Sequence, residues 1–241
     1  MNRTEAGALV WAVMPAAGAG RRFGDDLPKQ YSRLDDRTLI EHALDTLLAE
    51  PRIAGVVVAL ADGDKYWSAL PLAADLRVLT VTGGAERHLS VLQAVQAVPA
   101  AGDPWVAVHD AARPCLDAAD LARLLDGLDE TACGRILASP MADTLKQVNE
   151  AGQVQRTLAR EGLWRAQTPQ VFRREQLLMA LQACEAQGLT PTDEAMAVEQ
   201  VGGRVAVVAA RSPNPKVTTR EDLQLAQSLI ARGNNYDLAQ R

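Results

Sequence analysis

Six short, nearly continuous apolar runs are spaced along the chain. Runs in which every position is apolar are typical of strands covered on both faces, as in a parallel sheet between two layers of helices. We therefore predict buried strands at Leu9–Met14, Ile53–Leu60, Leu76–Val81, Trp105–His109, Arg135–Ser139 and Arg204–Ala209.

Between these runs, apolar residues recur at the three- and four-residue spacing of helices. The predicted helices are Leu39–Ala49, Leu89–Val98, Ala118–Leu128 after an Asp117 N-cap, and a last helix from a Thr218/Glu221 capping box to about Arg232. Alternating strands and helices predict an α/β fold with a doubly wound, mostly parallel, Rossmann-like sheet.

One stretch departs from this pattern. Two short, partly polar runs, Thr144–Val148 and Val154–Leu158, flank the turn-like segment Asn149–Gly152. This arrangement predicts a β-hairpin arm at about residues 141–165 that projects from a single domain spanning residues 1–241. Because an isolated hairpin is marginally stable in water, we expect the arm to pack on a second copy of the chain.

The overall charge and the cysteines narrow the classes of partner. The 241 residues carry a formal net charge of −5, which disfavours broad binding to nucleic acids or membrane surfaces. The three cysteines form no CxxC pair, so nothing indicates a zinc site or a disulfide framework. The apolar run Leu9–Met14 is too short for a signal or a membrane span, and we expect a cytoplasmic protein.

The loop after the first strand has the composition of a phosphate site. Its small residues would let backbone N–H groups approach a ligand closely, and they are Ala16, Ala17, Gly18 and Gly20. Arg21, Arg22 and Lys29 could then supply positive charge to a triphosphate. Neither a Walker A motif nor a dinucleotide fingerprint is present, and a plain turn with solvated arginines is the alternative.

Two further loops follow predicted strands. Gly83–Arg87 could read the edge of a nucleobase through its backbone, or could simply be a turn with a cap at Ser90. Asp110 follows the Trp105–His109 strand, where a carboxylate can hold Mg²⁺ against phosphates. The alternative is that Asp110 caps a turn and pairs with Arg113. We expect His109 to be structural, because metal-assisted phosphoryl chemistry needs no imidazole base.

Taken together, these motifs resemble the 2-C-methyl-D-erythritol 4-phosphate cytidylyltransferase family. The matching stretches occur in the family's order from Pro15 to Thr218, and they read PAAGAGRRF, LPKQY, GGAERHLSV, VHDAARPC, ADTLK, LWRAQTPQVF, TDEA and NPKVT. The resemblance implies the nucleotidyltransferase variant of the Rossmann-like fold. It also implies transfer of a cytidylyl group from CTP to methylerythritol phosphate, with release of pyrophosphate, in non-mevalonate isoprenoid biosynthesis.

The resemblance also implies a role for each candidate residue. On the nucleotide side, Arg22 and Lys29 match a pair that stabilises the transition state, and Lys216 matches a lysine near the α-phosphate. The positions that match those holding cytosine and ribose are Ala16, Ala17, Gly84, Ala85 and Ser90, with Gly18 in the same loop.

On the acceptor side, Asp110 matches the residue associated with Mg²⁺ and with the hydroxyls of the sugar alcohol. The other substrate positions are Arg113, Thr144, Thr168 and Thr192. Arg160 matches a residue that reaches the acceptor phosphate in a partner subunit, since the family forms an arm-exchanged homodimer. The cofactor implied is Mg²⁺ or another divalent cation.

Two other functions compete with this one. A ribitol-phosphate cytidylyltransferase would share the fold, the first loop and the HDA-containing motif, but the TPQ and TDEA stretches favour methylerythritol phosphate. A non-catalytic, regulatory relative should have lost part of the charged set. Arg22, Lys29, Asp110 and Lys216 are all present, which counts against that function.

Overall fold

A seven-stranded sheet forms the centre of the protein. The computed structural model describes residues 9–18, 27–128 and 133–238, with side chains described as far as residue 232. The strands of the central sheet are β1 (Val10–Ala16), β4 (Ile53–Leu60), β5 (Val78–Thr82), β6 (Trp105–Val108), β7 (Gly134–Pro140), β10 (Trp164–Arg173) and β11 (Val205–Ala209). Their spatial order is β11-β7-β10-β6-β1-β4-β5.

Six of these strands run in one direction and β10 runs against them. Strand β10 pairs antiparallel with both β6 and β7, whereas the other neighbouring pairs are parallel. The predicted doubly wound, mostly parallel sheet is therefore confirmed. Strands β4 and β5 lie on one side of β1 and β6 lies on the other, so the strand order switches sides between β1 and β6. In open α/β sheets, ligands bind at this switch point, outside the carboxyl ends of the strands.

Helices cover both faces of the sheet. They are α1 (Leu39–Ala49), α2 (Arg87–Ala97), α3 (Ala118–Leu125), α4 (Arg174–Ala186), α5 (Glu194–Gln200) and α6 (Arg220–Leu238). Apolar side chains of α1 and α3 pack on one face, and those of α2, α4 and α5 pack on the other. Within the described residues, no helix has both the length and the hydrophobicity needed to cross a bilayer.

Two small antiparallel pairs stand apart from the central sheet. Strands β2 (Arg33–Leu34) and β3 (Arg37–Thr38) form one pair, and β8 (Leu145–Val148) and β9 (Val154–Leu158) form the other. The β8–β9 pair is the predicted hairpin arm. Its burial is low throughout, and Val148 and Val154 are 51% and 60% exposed.

The predicted strands and helices are present, with bounds that differ by up to three residues except at the end of α6; for example, α3 ends at Leu125 rather than Leu128, and β5 begins at Val78 rather than Leu76. Strands β2, β3 and β10 and helices α4 and α5 were not predicted as elements. Helix α2 begins at Arg87 rather than near Leu89, so Ser90 lies inside the helix and does not cap it. At the start of α6, the backbone N–H and the hydroxyl of Thr218 both donate to the carboxylate of Asp222, at 2.8 and 2.7 Å. The predicted partner, Glu221, is therefore wrong by one residue.

Candidate active site

A pocket of about 200 Å³ opens at the carboxyl ends of β1 and β6. Four parts of the chain build it: the end of β1 with the residues that follow, the loop that leads into α2, the loop after β6, and the loop before α6. The lining residues are Pro15, Ala16, Ala17, Gly18, Lys29, Gln30, Gly84, Ala85, Glu86, Arg87, Ser90, Asp110, Ala111, Ala112 and Lys216. The pocket therefore lies at the switch point of the sheet.

The first wall of the pocket is formed by the end of β1 and the residues that follow it, Pro15–Gly18. Ala16 ends β1, and its carbonyl oxygen accepts a 2.6 Å hydrogen bond from the side-chain amide of Gln30. Gln30 is buried on the short 3-10 helix Lys29–Tyr31, next to Lys29. The bond ties the helix that carries Lys29 to the end of β1. Gln30 was not among the predicted site residues, although it lies in the LPKQY motif.

The second wall is the loop Gly83–Glu86 that leads into α2, and close packing explains its glycines. A Cβ atom on Gly83 would lie 2.6 Å from the Cβ of Ala17, and one on Gly84 would lie 2.4 Å from the Cβ of Leu89. Real Cβ atoms do not approach so closely, so a larger residue at Gly83 would push the loop away from the end of β1, and one at Gly84 would push it away from α2. The Ser90 hydroxyl accepts a 3.2 Å hydrogen bond from the Gly84 N–H, which holds the loop against α2.

Asp110 lies on the floor of the pocket and is surrounded by cations. Its Oδ1 is 2.9 Å from Arg87, and its Oδ2 is 2.8 Å from Nζ of Lys216 and 3.8 Å from Nε of Arg113. The side chain of Asp110 is only 8% exposed. Burial by itself would raise the pKa of this carboxyl, but the charges of Arg87 and Lys216 outweigh it and hold the pKa well below its usual range.

Arg87 joins Asp110 to a second buried carboxylate. The two terminal nitrogens of its guanidinium donate to the two oxygens of Glu194, at 2.7 and 3.2 Å, while Nε donates to Asp110 at 2.9 Å. The Glu194 side chain is 1% exposed. Burial opposes the charge on Arg87, yet the two carboxylates raise its pKa above the ordinary value. Neither residue was predicted, although each is a charged member of a matched motif, Arg87 of GGAERHLSV and Glu194 of TDEA.

A second network fixes the backbone beneath Asp110. The Asp110 N–H donates to the hydroxyl oxygen of Thr168 at 3.0 Å, and that oxygen lies 3.0 Å from Nδ1 of His109. Nε2 of His109 lies 3.1 Å from the carbonyl oxygen of Arg113, so it is the nitrogen that carries the proton. Complete burial lowers the pKa of His109 to about 4. A neutral, enclosed imidazole supports the prediction that His109 is structural.

Arg113 and Asn214 attach the loop that carries Lys216. The guanidinium of Arg113 donates to the Asn214 carbonyl at 2.7 Å, and the Asn214 side-chain amide donates to the Thr168 carbonyl at 2.9 Å. This loop, β10 and the loop after β6 are thereby joined around Asp110. The sequence offered the pairing of Arg113 with Asp110 as an alternative to a role for Asp110 in the site. The structure has both: Asp110 pairs with Arg113 and also lines the pocket.

Comparison with known proteins identifies the chain at this point. The model of the 2-C-methyl-D-erythritol 4-phosphate cytidylyltransferase family matches residues 10–232. The chain belongs to this family.

Named relatives and solved structures agree with that assignment. Relatives named 2-C-methyl-D-erythritol 4-phosphate cytidylyltransferase include one from Stenotrophomonas maltophilia K279a, 47% identical over 93% of this chain and 98% of the relative. Another, from Aeromonas hydrophila, is 48% identical over 95% of this chain and 93% of the relative. The crystal structure of the Francisella tularensis cytidylyltransferase is similar with a TM-score of 0.79, at 34% identity over 91% of this chain and 99% of that one.

The structure gathers most of the predicted site residues into one region of this family member. Eight of them line the pocket: Ala16, Ala17, Gly18, Lys29, Gly84, Ala85, Ser90 and Lys216. Asp110 lines it as well, and Arg113 and Thr168 contact Asp110 from behind. The remaining predicted nucleotide-side residue, Arg22, lies outside the described residues.

Three other predicted residues of this chain neither line the pocket nor contact Asp110. Thr144 immediately precedes β8, and Arg160 follows β9 and hydrogen-bonds the carbonyl of Ala142. Thr192 lies just before α5, where its hydroxyl and backbone N–H contact the sulfur of Met196. All three side chains are exposed. Two of the three therefore belong to the arm rather than to the pocket.

Proposed function

We propose that the protein transfers a cytidylyl group from CTP to 2-C-methyl-D-erythritol 4-phosphate and releases pyrophosphate, in the non-mevalonate route to isoprenoid precursors. One observation carries the proposal: in a chain of this family, a buried carboxylate ringed by three cations forms the floor of a pocket at the switch point of the sheet. Such a group can bind hydroxyls while the cations around it meet phosphates.

The reaction is an in-line displacement at phosphorus. An oxygen of the acceptor phosphate attacks the α-phosphorus of CTP, and the bond to pyrophosphate breaks on the opposite side. A phosphate monoester is largely ionised at neutral pH, so the nucleophile needs no strong base. The buried, neutral His109 agrees with this, because its ring nitrogens are both used in internal hydrogen bonds. Catalysis then rests on positioning and on charge.

Lys29 and Lys216 supply the charge from two sides of the pocket. Lys29 lies on the short helix next to β1, and Lys216 lies on the loop before α6. We assign both to the phosphates of CTP, together with Arg22. Cations held at fixed positions stabilise negative charge as it shifts from the α-phosphoryl group to the leaving pyrophosphate.

The base is held by backbone in this proposal. The wall formed by Ala16–Gly18 and the wall formed by Gly84 and Ala85 present small side chains, and the tight contact at Gly83 sets their separation. A narrow slot lined by backbone N–H and C=O groups suits the smaller ring of cytosine and its Watson–Crick edge.

The residues present fit a magnesium ion that is held mainly by the nucleotide. Mg²⁺ is usually bound through one or two carboxylates together with substrate phosphates and water. Asp110 is the buried carboxylate in the pocket, and no cluster of three acidic, histidine or cysteine ligands occurs among the described residues. We propose Asp110 as the protein group nearest such an ion. When bound, Mg²⁺ would neutralise charge on the triphosphate.

The arm supports a homodimer as part of the proposal. Apolar side chains at Val148 and Val154 are left exposed on the hairpin, as are Leu163 and Trp164 where it returns to the sheet, at 40% and 43%. A second copy of the chain would cover them. Exchange of the arms would also bring Thr144 and Arg160 to an acceptor site that includes the partner's pocket.

A direct assay tests the function and separates it from its nearest alternative. Pyrophosphate release is measured with CTP and Mg²⁺, with methylerythritol phosphate and ribitol phosphate as the two acceptors. The proposal predicts turnover with the first and little with the second. Preferred turnover of ribitol phosphate would assign the same site to the other polyol, and release with neither acceptor would favour a non-catalytic role.

A further inference from the structure

The guanidinium of Arg87 has every nitrogen committed to a carboxylate. Nε donates to Asp110, and the two terminal nitrogens donate to the two oxygens of Glu194. This uses the planar fork of arginine in full, with Glu194 taking the bidentate pair and Asp110 taking the third donor. A lysine, with one nitrogen at the end of a flexible stem, cannot make all of these contacts.

The helices explain why Arg87 is held in this way. It is the first residue of α2, where the partial positive charge of the helix end disfavours a cation. Glu194 is the first residue of α5, where the same field favours an anion. The buried, favourably placed Glu194 therefore compensates a cation that would otherwise be costly to bury. Arg87 reaches Asp110 with its charge largely balanced.

The two close cations of Asp110 therefore differ in kind. Lys216 is 40% exposed and contacts Oδ2 through one flexible nitrogen. Arg87 is fixed at its far side by Glu194 and contacts Oδ1. A lysine that also serves the α-phosphate cannot by itself define where the carboxylate points. Arg87 can, because its orientation is set before any ligand arrives.

We propose that Arg87, locked by Glu194, is a positioning residue that fixes the Asp110 carboxylate for the acceptor polyol. This rests on the proposed function, and it adds two residues, Arg87 and Glu194, to the acceptor side of the site. Glu194 acts through Arg87, and Arg87 acts through Asp110. A misplaced Asp110 would weaken use of the acceptor, whereas CTP binding, which depends on the walls and the lysines, would be retained.

The test compares two substitutions with the same two substitutions in a matched ion pair. Arg87→Lys, Glu194→Gln and the double variant are set against Arg52→Lys and Glu50→Gln. Arg52 is paired with Glu50 at 2.7 Å, and its side chain is 28% exposed against 29% for Arg87. Neither control residue lines the pocket. Steady-state kinetics gives kcat/KM for methylerythritol phosphate, and calorimetry gives the Kd of CTP.

We expect kcat/KM for the acceptor to fall about 10- to 100-fold in each single variant, as is typical when a group that orients a site residue is lost. The Kd of CTP should change less than about threefold, because Arg87 acts on Asp110 rather than on the nucleotide. The double variant should be no worse than the poorer single variant, since the two residues act in one chain of contacts. The control variants should keep the parent's constants.

Several results would overturn the inference. One is an acceptor kcat/KM within threefold of the parent. A second is a loss of CTP affinity as large as the loss of acceptor kcat/KM, which would make the pair a general structural support. A third is a double variant whose loss of kcat/KM is the product of the two single losses. Crystal structures of the parent and Glu194→Gln give a readout without turnover. The inference predicts that the Asp110 carboxylate changes orientation, and an unchanged 2.9 Å contact between Arg87 and Asp110 would contradict it. If the parent forms no product, the proposed function fails while these structures still decide the positioning.

Discussion

The pocket around Asp110 and the β8–β9 arm differ in whether their side chains find partners within one chain. At Asp110, charged side chains are buried and satisfied by one another within a single chain, through Arg87, Glu194 and Lys216. On the arm, short strands pair only with each other and leave Val148 and Val154 exposed. A buried ion network must be complete to be tolerated, whereas an isolated hairpin needs a surface to pack on. The pocket is therefore built by one chain, whereas in the proposed homodimer the arm would pack on a second copy.

The largest expected effect tests whether fixed cations in the pocket stabilise the transition state. Lys29→Ala should lower turnover by roughly a hundred- to a thousandfold, or about 3–4 kcal/mol, while the Kd of CTP changes much less, because a fixed cation stabilises the transition state more than the ground state. We expect the same of Arg22→Ala, and Arg22→Lys should also be poor because a point charge cannot replace a planar fork. Steady-state kinetics with a calorimetric CTP titration measures both quantities, and circular dichroism checks the fold. Turnover within about threefold of the parent would show that these side chains do not stabilise the transition state.

The next effect is the pH dependence of stability that His109, beneath the pocket, should cause. The pKa of His109 is about 4 in the folded protein and 6.5 for an ordinary histidine, so the unfolded chain binds a proton that the folded chain does not. Stability is therefore fully present above pH 6.5 and falls as the pH drops from 6.5 to 4, by about 3 kcal/mol in total. The carboxyl of Asp110 has a lowered pKa, so its contribution is lost only at more acid pH.

Urea unfolding of the parent and His109→Gln at pH 7, 6, 5 and 4 measures this difference. The variant should lose less stability over the range, since it lacks the titrating ring. Parallel curves for the two proteins would show that His109 does not couple folding to pH.

Dissociating the arm should affect the acceptor but not the nucleotide. Val148→Asp with Val154→Asp places charges on an exposed apolar surface, and we expect a monomer at micromolar concentration. The kcat/KM for the acceptor should fall about 10- to 100-fold, because the Arg160 that the proposed second copy would contribute is lost. The Kd of CTP should remain near that of the parent. Light scattering and kinetics on one sample decide the point, and a monomer with full activity would contradict the account.

The smallest effect concerns the base. CTP should be preferred over UTP, ATP and GTP, and adding a methyl group at Gly84 should weaken CTP binding by about tenfold or more because its Cβ would lie 2.4 Å from that of Leu89. Parent and Gly84→Ala are compared in pyrophosphate release at matched nucleotide concentrations. Equal turnover of ATP by the parent would remove the narrow slot from the account.

The local sequence pattern was sufficient to predict elements whose buried faces are uniformly apolar. Strand β4 is apolar throughout and helix α1 has a regular apolar stripe, and both have the predicted bounds. Strand β10 was not predicted because Gln167, Thr168 and Gln170 interrupt its apolar pattern. Thr168 and Gln170 can be buried because their polar side chains meet partners distant in sequence, His109 and Asp193.

The same reason separates the predicted from the unpredicted parts of the site. Asp110 could be recognised because a carboxylate directly after a buried strand must lie at the ligand-binding edge. The pairing of Arg87 with Glu194 joins residues 107 positions apart, and nothing in either motif alone shows that the two meet. The resemblance supplied both motifs, but only the tertiary structure brings the first residues of α2 and α5 together.

The central claim is that the Asp110 pocket performs cytidylyl transfer. The most direct test is the formation of cytidylylated product from labelled CTP and methylerythritol phosphate by Asp110→Asn, with Asp75→Asn as a control. Asp75 makes a similar ion pair, at 2.8 Å to Arg77, but it does not line the pocket. The account predicts a loss on the order of a hundredfold or more for Asp110→Asn, in a protein that still binds CTP, and none for the control. Product formation by Asp110→Asn within threefold of the parent would contradict it.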